Sequence, residues 1–377
     1  REEVKVKSVP YKGMVDDGIA YVRLTRFTRN CASEVEEAIL QLTDENEVKG
    51  LVLDLRGNPG GLLNESVSLC NLFIDKNQEV VSTKGKIKDW EKSYKTMKEP
   101  FDIELPLAVL INQSSASASE IVSGTIQDLD RGVVLGKKSF GKGLVQQTRK
   151  LSYNSQLKVT VAKYYTPSGR CIQALDYANK NEDGSVGKVA DSLKTAFKTR
   201  NGRTVYDGGG IDPDIIIEQD AYAKIVGSLV SKQLIFDFAT EFVLKNDTIE
   251  APGVYKISNE LYEDFVMFLS DKEYEYETNT EKKMAELIDK AEDEYLDFKE
   301  DLEVLQKKLL SYKEDDIHKY QSQVSELILS ELMARYYYQE GRVIASLAND
   351  TVLKEAISVL HDSDRYEAIL SGNIDDK

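Results

Sequence analysis

Apolar and polar positions follow two different rhythms along this chain. Up to about residue 220, short apolar runs alternate with amphipathic stretches and end in turns rich in glycine or serine. Val4, Val6 and Val9 have strand spacing, which predicts a strand over 2–12; Asp16-Asp17-Gly18 predicts a turn, and 19–28 a second strand. Ser33 with Glu36 three residues on has the pattern of a capping box, and Val35, Ala38, Ile39 and Leu42 share one helical face. Residues 50–55 form a short apolar run of the kind buried in parallel sheets. The run ends in the sharp turn Arg56-Gly57-Asn58-Pro59-Gly60-Gly61, before a helix through Val67 to Phe73. Further strands are predicted over 79–86, 106–111, 133–135, 145–151, 157–165 and 215–218, and a third helix runs from Ser114–Glu120 to about Leu129. Strand and helix alternate, so the expected fold class is α/β, with the polar stretch 174–207 as an insertion or long loop.

From about residue 221 the rhythm changes. After Gly253 only Gly341 and Gly372 occur, and Pro252 is the last proline. Residues 282–312 and 317–340 carry apolar residues at spacings of three and four, among them Met284, Leu287, Ile288, Ala291, Tyr295, Phe298, Leu302, Leu305 and Leu309. The expected organisation is an α/β core over 1–220 followed by a mostly α-helical domain over 221–377.

Charge follows the same division. The net charge is −16; residues 1–220 hold 31 Lys+Arg and 31 Asp+Glu, whereas 221–377 hold 18 and 34. The acidity argues against nucleic acid and anionic membrane surfaces as partners. No apolar run reaches the length of a membrane-spanning helix. The acidic helices read as solvated faces, with a homo-oligomer or adaptor surface as the alternative. Cys31, Cys70 and Cys171 are few and widely spaced, which argues against a disulfide framework or a structural zinc.

The only histidines are His318 and His361, both in the acidic part. A Ser–His–Asp triad cannot be built within 1–220, and hydrolysis there needs another base. Lysine can serve where burial disfavours its ammonium form. The required parts are a serine at a helix N-terminus, backbone N–H groups for an oxyanion, and a lysine on a loop that returns to them. Asn112-Gln-Ser-Ser-Ala-Ser-Ala-Ser-Glu120 ends a strand and opens a helix, with Ser115, Ser117 and Ser119 as candidates. Ser139-Phe-Gly-Lys-Gly143 sets Lys142 between two glycines.

Five blocks in order carry a family resemblance. They are Asp54-Leu-Arg-Gly-Asn-Pro-Gly-Gly61, Ser115-Ala-Ser-Ala-Ser-Glu-Ile121, Phe140-Gly-Lys-Gly-Leu-Val-Gln146, Tyr164-Tyr-Thr-Pro-Ser-Gly-Arg170 with Ile172-Gln173, and Gly210-Ile-Asp-Pro-Asp214. Over residues 15–218 the chain resembles the C-terminal processing peptidases, the tail-specific serine proteases of the S41 class. That resemblance implies a ClpP/crotonase-like core with a mixed β-sheet and a Ser–Lys dyad. The family places its serine 25 positions before its lysine, which selects Ser117 as nucleophile for Lys142 as base. It further implies Gln146, at 142 + 4, as the residue orienting the lysine, and the N–H groups of Gly61 and Ala118 as the oxyanion hole. Asp128 matches an acidic position of the family; Asp128 and Glu120 are both read as structural. No metal or cofactor is implied.

The function implied is a serine endopeptidase cutting protein or peptide substrates near their C-terminal ends. The family setting is the bacterial cell envelope, in the periplasm. The family usually carries a PDZ domain ahead of this core, and none precedes residue 15 here. Two other readings stand beside this one: a peptide-binding or assembly module on a protease-like core, and a crotonase-like acyl-transfer enzyme, for which no coenzyme A signal is found.

Overall fold

The computed structural model describes residues 7–180, 183–218, 222–293, 299–313 and 315–373. The chain divides into two compact units, one of residues 1–218 with 350–377, the other of 219–349. In the first unit the strands are β1 (Tyr11–Asp16), β2 (Ile19–Arg23), β3 (Gly50–Asp54), β4 (Glu79–Lys84), β5 (Lys92–Lys95), β6 (Leu107–Ile111), β7 (Val133–Gly136), β8 (Leu144–Lys150), β9 (Gln156–Tyr165), β10 (Leu175–Lys180), β11 (Val186–Lys188), β12 (Ala196–Lys198), β13 (Thr204–Tyr206) and β14 (Ile215–Ile216). A six-stranded sheet has the order β1-β2-β3-β6-β7-β14, with β1 antiparallel to β2 and the other neighbours parallel. It is therefore a mixed sheet. A second, antiparallel sheet has the order β5-β4-β9-β8.

Parallel strands need crossovers, and helices supply them. Helix α1 (Cys31–Glu45) joins β2 to β3, α2 (Leu63–Cys70) follows β3, and α3 (Ala118–Asp128) joins β6 to β7. Helix α1 starts two residues before the expected Ser33. The Glu65 carboxylate of α2 accepts from the N–H groups of Asn30 and Ala32, so the cap comes from another helix rather than from a local box. The first strand is also displaced: pairing runs over Tyr11–Asp16, and the predicted stretch 2–6 lies outside the described residues.

Strands β3, β6 and β7 are buried along their whole length, so both faces of the sheet are covered. Side chains alternate between faces. Leu51, Leu53, Val109 and Ile111 pack with Val35, Ile39 and Ile121 on the side of α1–α3. The opposite face carries Val52, Ala108, Leu110 and Val133. It is covered by α11 (Thr351–His361), which packs on β3, β6 and β7, and by α12 (Ser363–Ser371), which packs on β7.

This corrects the domain boundary read from charge. The expected helical domain 221–377 ends at Asn349, and residues 350–377 belong to the core because the sheet would otherwise leave one apolar face bare. Asp350 makes the junction. Its carboxylate caps α11 by accepting from Val352 N and Leu353 N at 3.0 Å each. It also accepts from Arg56, at 2.9 Å to Oδ1 and 2.5 Å to Oδ2, while Arg56 grips buried Asp54 at 2.7 Å. Burial alone would raise the Asp54 carboxyl, but the Arg56 guanidinium prevails and holds it below its ordinary value.

The described residues of the polar stretch 174–207 are not a plain loop. They form two hairpins, β10–β11 and β12–β13. Arg203 fastens the second by ion pairs to Asp130 and Asp214.

The second unit is helical: α4 (Lys224–Ser231), α5 (Leu234–Lys245), α6 (Asn259–Phe268), α7 (Asn279–Asp293), α8 (Lys299–Lys313), α9 (Asp316–Lys319) and α10 (Gln321–Leu347). Its own core includes Ile225, Leu229, Phe238, Tyr262, Phe265, Val324 and Ile328, with Phe238 edge-on to Phe265 at 5.0 Å. The expected helix 282–312 is two helices, and Tyr295 and Phe298 of its pattern lie outside the described residues. Helix α10 breaks at Tyr337 and Tyr338, next to the hydroxyls of Tyr336 and Tyr337, which donate to the carbonyls of Asn246 and Ile249. Among the described residues no helix is long and apolar enough to cross a membrane.

The double role of Asp350 gives a quantitative expectation. Asp350→Ala should cost about 3 kcal/mol in urea unfolding, because it removes a cap and half the carboxylate partners of a partly buried arginine. Asp362→Ala, which removes only the exposed cap of α12, should cost about 1 kcal/mol. Equal losses would show that the Arg56 junction adds nothing.

Candidate active site

The carboxyl ends of β3 and β6 lie side by side, and the loops leaving them are laced together. Ala116 N donates to Asn58 O at 3.0 Å, and Gly57 N donates to Asn112 Oδ1 at 3.0 Å. Gly60 makes this closeness feasible, since a Cβ there would sit 2.5 Å from Ala116 O and 2.8 Å from Ala118 N.

The three serines differ sharply. The Ser115 hydroxyl donates to Leu55 O at 2.8 Å, and the Ser119 hydroxyl donates to Asn58 O at 2.9 Å; both residues are fully buried. Ser117 is partly exposed at the N-cap of α3, with φ 57° and ψ −112°. A non-glycine residue held there is strained. A strained apex between strand and helix is the geometry that presents a nucleophilic serine in other hydrolases.

Two N–H groups flank it. The bridge between Phe27 and Gly61 uses the Gly60 carbonyl and the Leu62 N–H, so the N–H of Gly61 is turned away from Phe27. Ala118 is the first residue of α3, where N–H groups have no helical partner. Among the described residues neither N–H has a backbone acceptor.

Glu120, read from sequence as structural, joins the serine turn to the lysine loop. It is completely buried. Its Oε2 accepts from Ser117 N at 2.7 Å and Lys142 N at 2.9 Å; its Oε1 accepts from Ser139 Oγ and Gly141 N at 2.6 Å each. Burial raises the carboxyl above its ordinary value, against the pull of these four donors.

The rest of the lysine loop is held as firmly. Gly143 N donates to Gln173 Oε1 at 2.8 Å, Tyr164 N donates to Gly143 O at 3.0 Å, and the Tyr164 hydroxyl donates to Lys142 O. The Lys142 side chain, however, is exposed. Among the described residues its ammonium makes no hydrogen bond or ion pair, with Ser117 or any other group. The desolvated base expected from sequence is thus not formed by these residues alone.

Gln146 is not brought to Lys142 either. It lies on strand β8, which starts two residues after Lys142 and is extended rather than a helical turn. It is exposed, at a bulge in the pairing with β9. The glutamine that touches the lysine loop is Gln173, and its only sequence signal is its place after the Tyr164–Arg170 block. Asp128 lies eleven residues along α3 from Ser117, about 16 Å away. Its carboxylate pairs with buried Arg170 at 2.7 Å and accepts from Ser168 N at 3.0 Å. His361 belongs to the first unit but sits at the wrong end of the sheet. Helix α11 runs from Asp350, beside Arg56, to Leu360, beside Gly50, and His361 Nε2 meets Asp16 at 3.3 Å.

A strained serine at a helix N-terminus, two free N–H groups and a lysine loop define the equipment of a nucleophilic hydrolase. Comparison with known proteins agrees in class. Residues 18–178 match the family model for peptidase family S41, and residues 225–360 match the model described as probable PDZ-protease, C-terminal helical domain. The chain carries a peptidase family S41 domain. It is 43% identical over 178 residues to a carboxy-terminal-processing protease of Bartonella bacilliformis, covering 46% of this chain and 40% of that one. It is 41% identical over 175 residues to a probable CtpA-like serine protease of Staphylococcus aureus, covering 46% and 34%. The matched region therefore spans about two-fifths or less of these relatives' length. Among solved structures, the photosystem II D1 C-terminal processing protease matches with a TM-score of 0.41 and 30% identity, covering 53% of this chain and 42% of that one.

Glu120→Gln leaves one acceptor oxygen for four donors. Amide hydrogen exchange at Gly141 and Lys142 should speed up by about 10-fold or more, with Val109 in the sheet unaffected. Unchanged protection at 141–142 would mean that Glu120 does not hold the loop.

Proposed function

We propose that this chain is the catalytic part of a serine endopeptidase that cuts protein substrates near their C-terminal ends with a Ser117–Lys142 dyad. The observation that carries the reading is the strained Ser117 backbone at the start of α3, beside the uncommitted N–H groups of Gly61 and Ala118.

In this mechanism Ser117 Oγ attacks the scissile carbonyl carbon while its proton passes to Lys142 Nζ. The carbonyl oxygen becomes an oxyanion, held by Gly61 N–H and Ala118 N–H at the positive end of α3. As the C–N bond breaks, Lys142 returns the proton to the leaving amine, and an acyl group remains on Ser117. Water then attacks that ester, Lys142 again takes and returns a proton, and the acid product leaves. Lysine must lose its hydration to act as a base. The exposed side chain therefore acquires that environment when a bound peptide covers it.

The exposure of Lys142 also favours a second reading, a peptide-binding module on the same core. One experiment separates the two. Ser117→Ala and Lys142→Ala should each lower kcat/KM on an unfolded protein substrate by at least about 10³-fold, with wild-type products mapping near substrate C-termini by mass spectrometry. Either variant keeping a tenth of wild-type turnover would refute the dyad, and binding without turnover by the wild type would favour the module.

A further inference from the structure

Strand β8 begins two residues after Lys142 and forms one edge of the antiparallel sheet; among the described residues it pairs with β9 alone. Beyond its first two residues the β8–β9 hairpin is a bare ribbon. Every residue from Gln146 to Thr160 is exposed, Leu151, Leu157 and Val159 included. A tight turn over Ser152–Ser155 closes it, with Tyr153 and Asn154 at φ 58° and 56° and Ser155 N donating to Ser152 O at 3.2 Å. The ribbon's charge is opposite to the chain's. Residues 144–165 hold Arg149, Lys150, Lys158 and Lys163 and no Asp or Glu, in a protein of net charge −16. Lys163 stands directly opposite Lys84 of β4, a like-charge pair on one face of the sheet. Lys84 lies over the Tyr165 ring at 4.9 Å. Among the described residues Lys84, Lys150, Lys158 and Lys163 have no carboxylate partner.

We propose that the open edge of β8 is a substrate subsite that takes an extended, acidic segment of polypeptide on the amino side of the scissile bond. This rests on the peptidase reading made above. An edge strand presents unpaired backbone N–H and C=O groups, and an extended peptide can pair with them as an added strand. The carboxylates of such a peptide meet the ribbon's cations. A second copy's acidic helices would supply the charge, but their backbone groups are already bonded within each helix and would leave the edge unpaired. An unfolded acidic substrate supplies both. The side of the scissile bond follows from length. Seven extended residues along β8 span about 23 Å. A cut near a C-terminus leaves a short tail on one side and the bulk of the chain on the other, and the bulk is what can fill that length.

Two peptides with the same residues around the scissile bond test this, one with Asp and Glu spread over the preceding segment and the other with Asn and Gln there. Wild type should cut the acidic peptide with a kcat/KM about 10-fold higher, mainly through KM, and the ratio should fall toward 1 in about 0.5 M NaCl. Lys150→Glu with Lys158→Glu should bring the ratio to 1 or below, and Lys150→Gln with Lys158→Gln should give an intermediate value. Fluorescence anisotropy of the labelled peptides on Ser117→Ala makes the same comparison without turnover. A wild-type ratio within twofold of 1, or a ratio that neither double variant changes, overturns the subsite. If the double variants alter the oligomeric state in sedimentation and leave the peptide ratio as it was, the ribbon docks a second copy and the proposal falls. If wild type cuts neither peptide while Ser117→Ala binds the acidic one about 10-fold more tightly, the subsite stands and the peptidase reading fails.

Discussion

The Glu120 carboxylate accepts hydrogen bonds from the backbone N–H of Ser117 and of Lys142, and the candidate site depends on that shared acceptor. Ser117 begins a helix, whereas Lys142 lies on a loop between two sheets, and 25 residues separate them in sequence. A buried carboxylate with no cation beside it is costly. Here four donors, from Ser117, Ser139, Gly141 and Lys142, offset much of that cost, and the carboxyl remaining above its ordinary value shows that they do not cancel it. The arrangement uses an unfavourable burial to hold two backbone segments at fixed separation.

The same economy governs the larger fold. A parallel sheet must be covered on both faces. The chain covers one with α1–α3 and the other only after the helical unit has been completed, when α11 and α12 return. The helical unit is therefore an insertion in chain order between β14 and α11. The return is secured at Asp350, where a helix cap and the Arg56 ion pair share one carboxylate. Arg56 follows β3 immediately and belongs to the same turn as Gly60 and Gly61. The residue that joins the last helices to the core is thus a near neighbour of the backbone flanking Ser117.

What the sequence made legible follows from the range of the signals. Alternation and glycine-rich turns are local, and they foretold the α/β order, the Asp16–Gly18 turn and the helix opened within Ser114–Glu120. The first 220 residues hold no histidine, which leaves lysine as the base they can offer. Long-range facts were hidden. Nothing near Ser33 reveals that Glu65 caps α1 from another helix. Charge suggested a boundary at 221 and was blind to the return at 350, because residues 350–377 taken together are net acidic like the unit they follow. The family resemblance implied Gln146 as the residue orienting Lys142, but Gln146 lies on extended β8, where no helical turn stacks it on the lysine. Gln173 and Tyr164, distant in sequence from Lys142, are the side chains that reach its loop.

The division of labour within residues 141–143 bears on how a lysine can serve as base. Their backbone is tied by Glu120, Gln173 and Tyr164, three side chains from three separate segments, so the loop has little freedom to move. The Lys142 side chain is left in water. A loop that swung between open and closed positions would have to break several buried hydrogen bonds at once, each costly to leave unmade. Rotation of four side-chain bonds breaks none. In the proposed mechanism the slow, expensive part of the geometry is therefore built in advance, and only the cheap part waits for substrate. A peptide lying over the site supplies the missing apolar cover, and desolvation of the ammonium then accompanies binding. Proton transfer from Ser117 becomes favourable only when a scissile bond is present, which suppresses idle reaction of the serine with water-borne electrophiles.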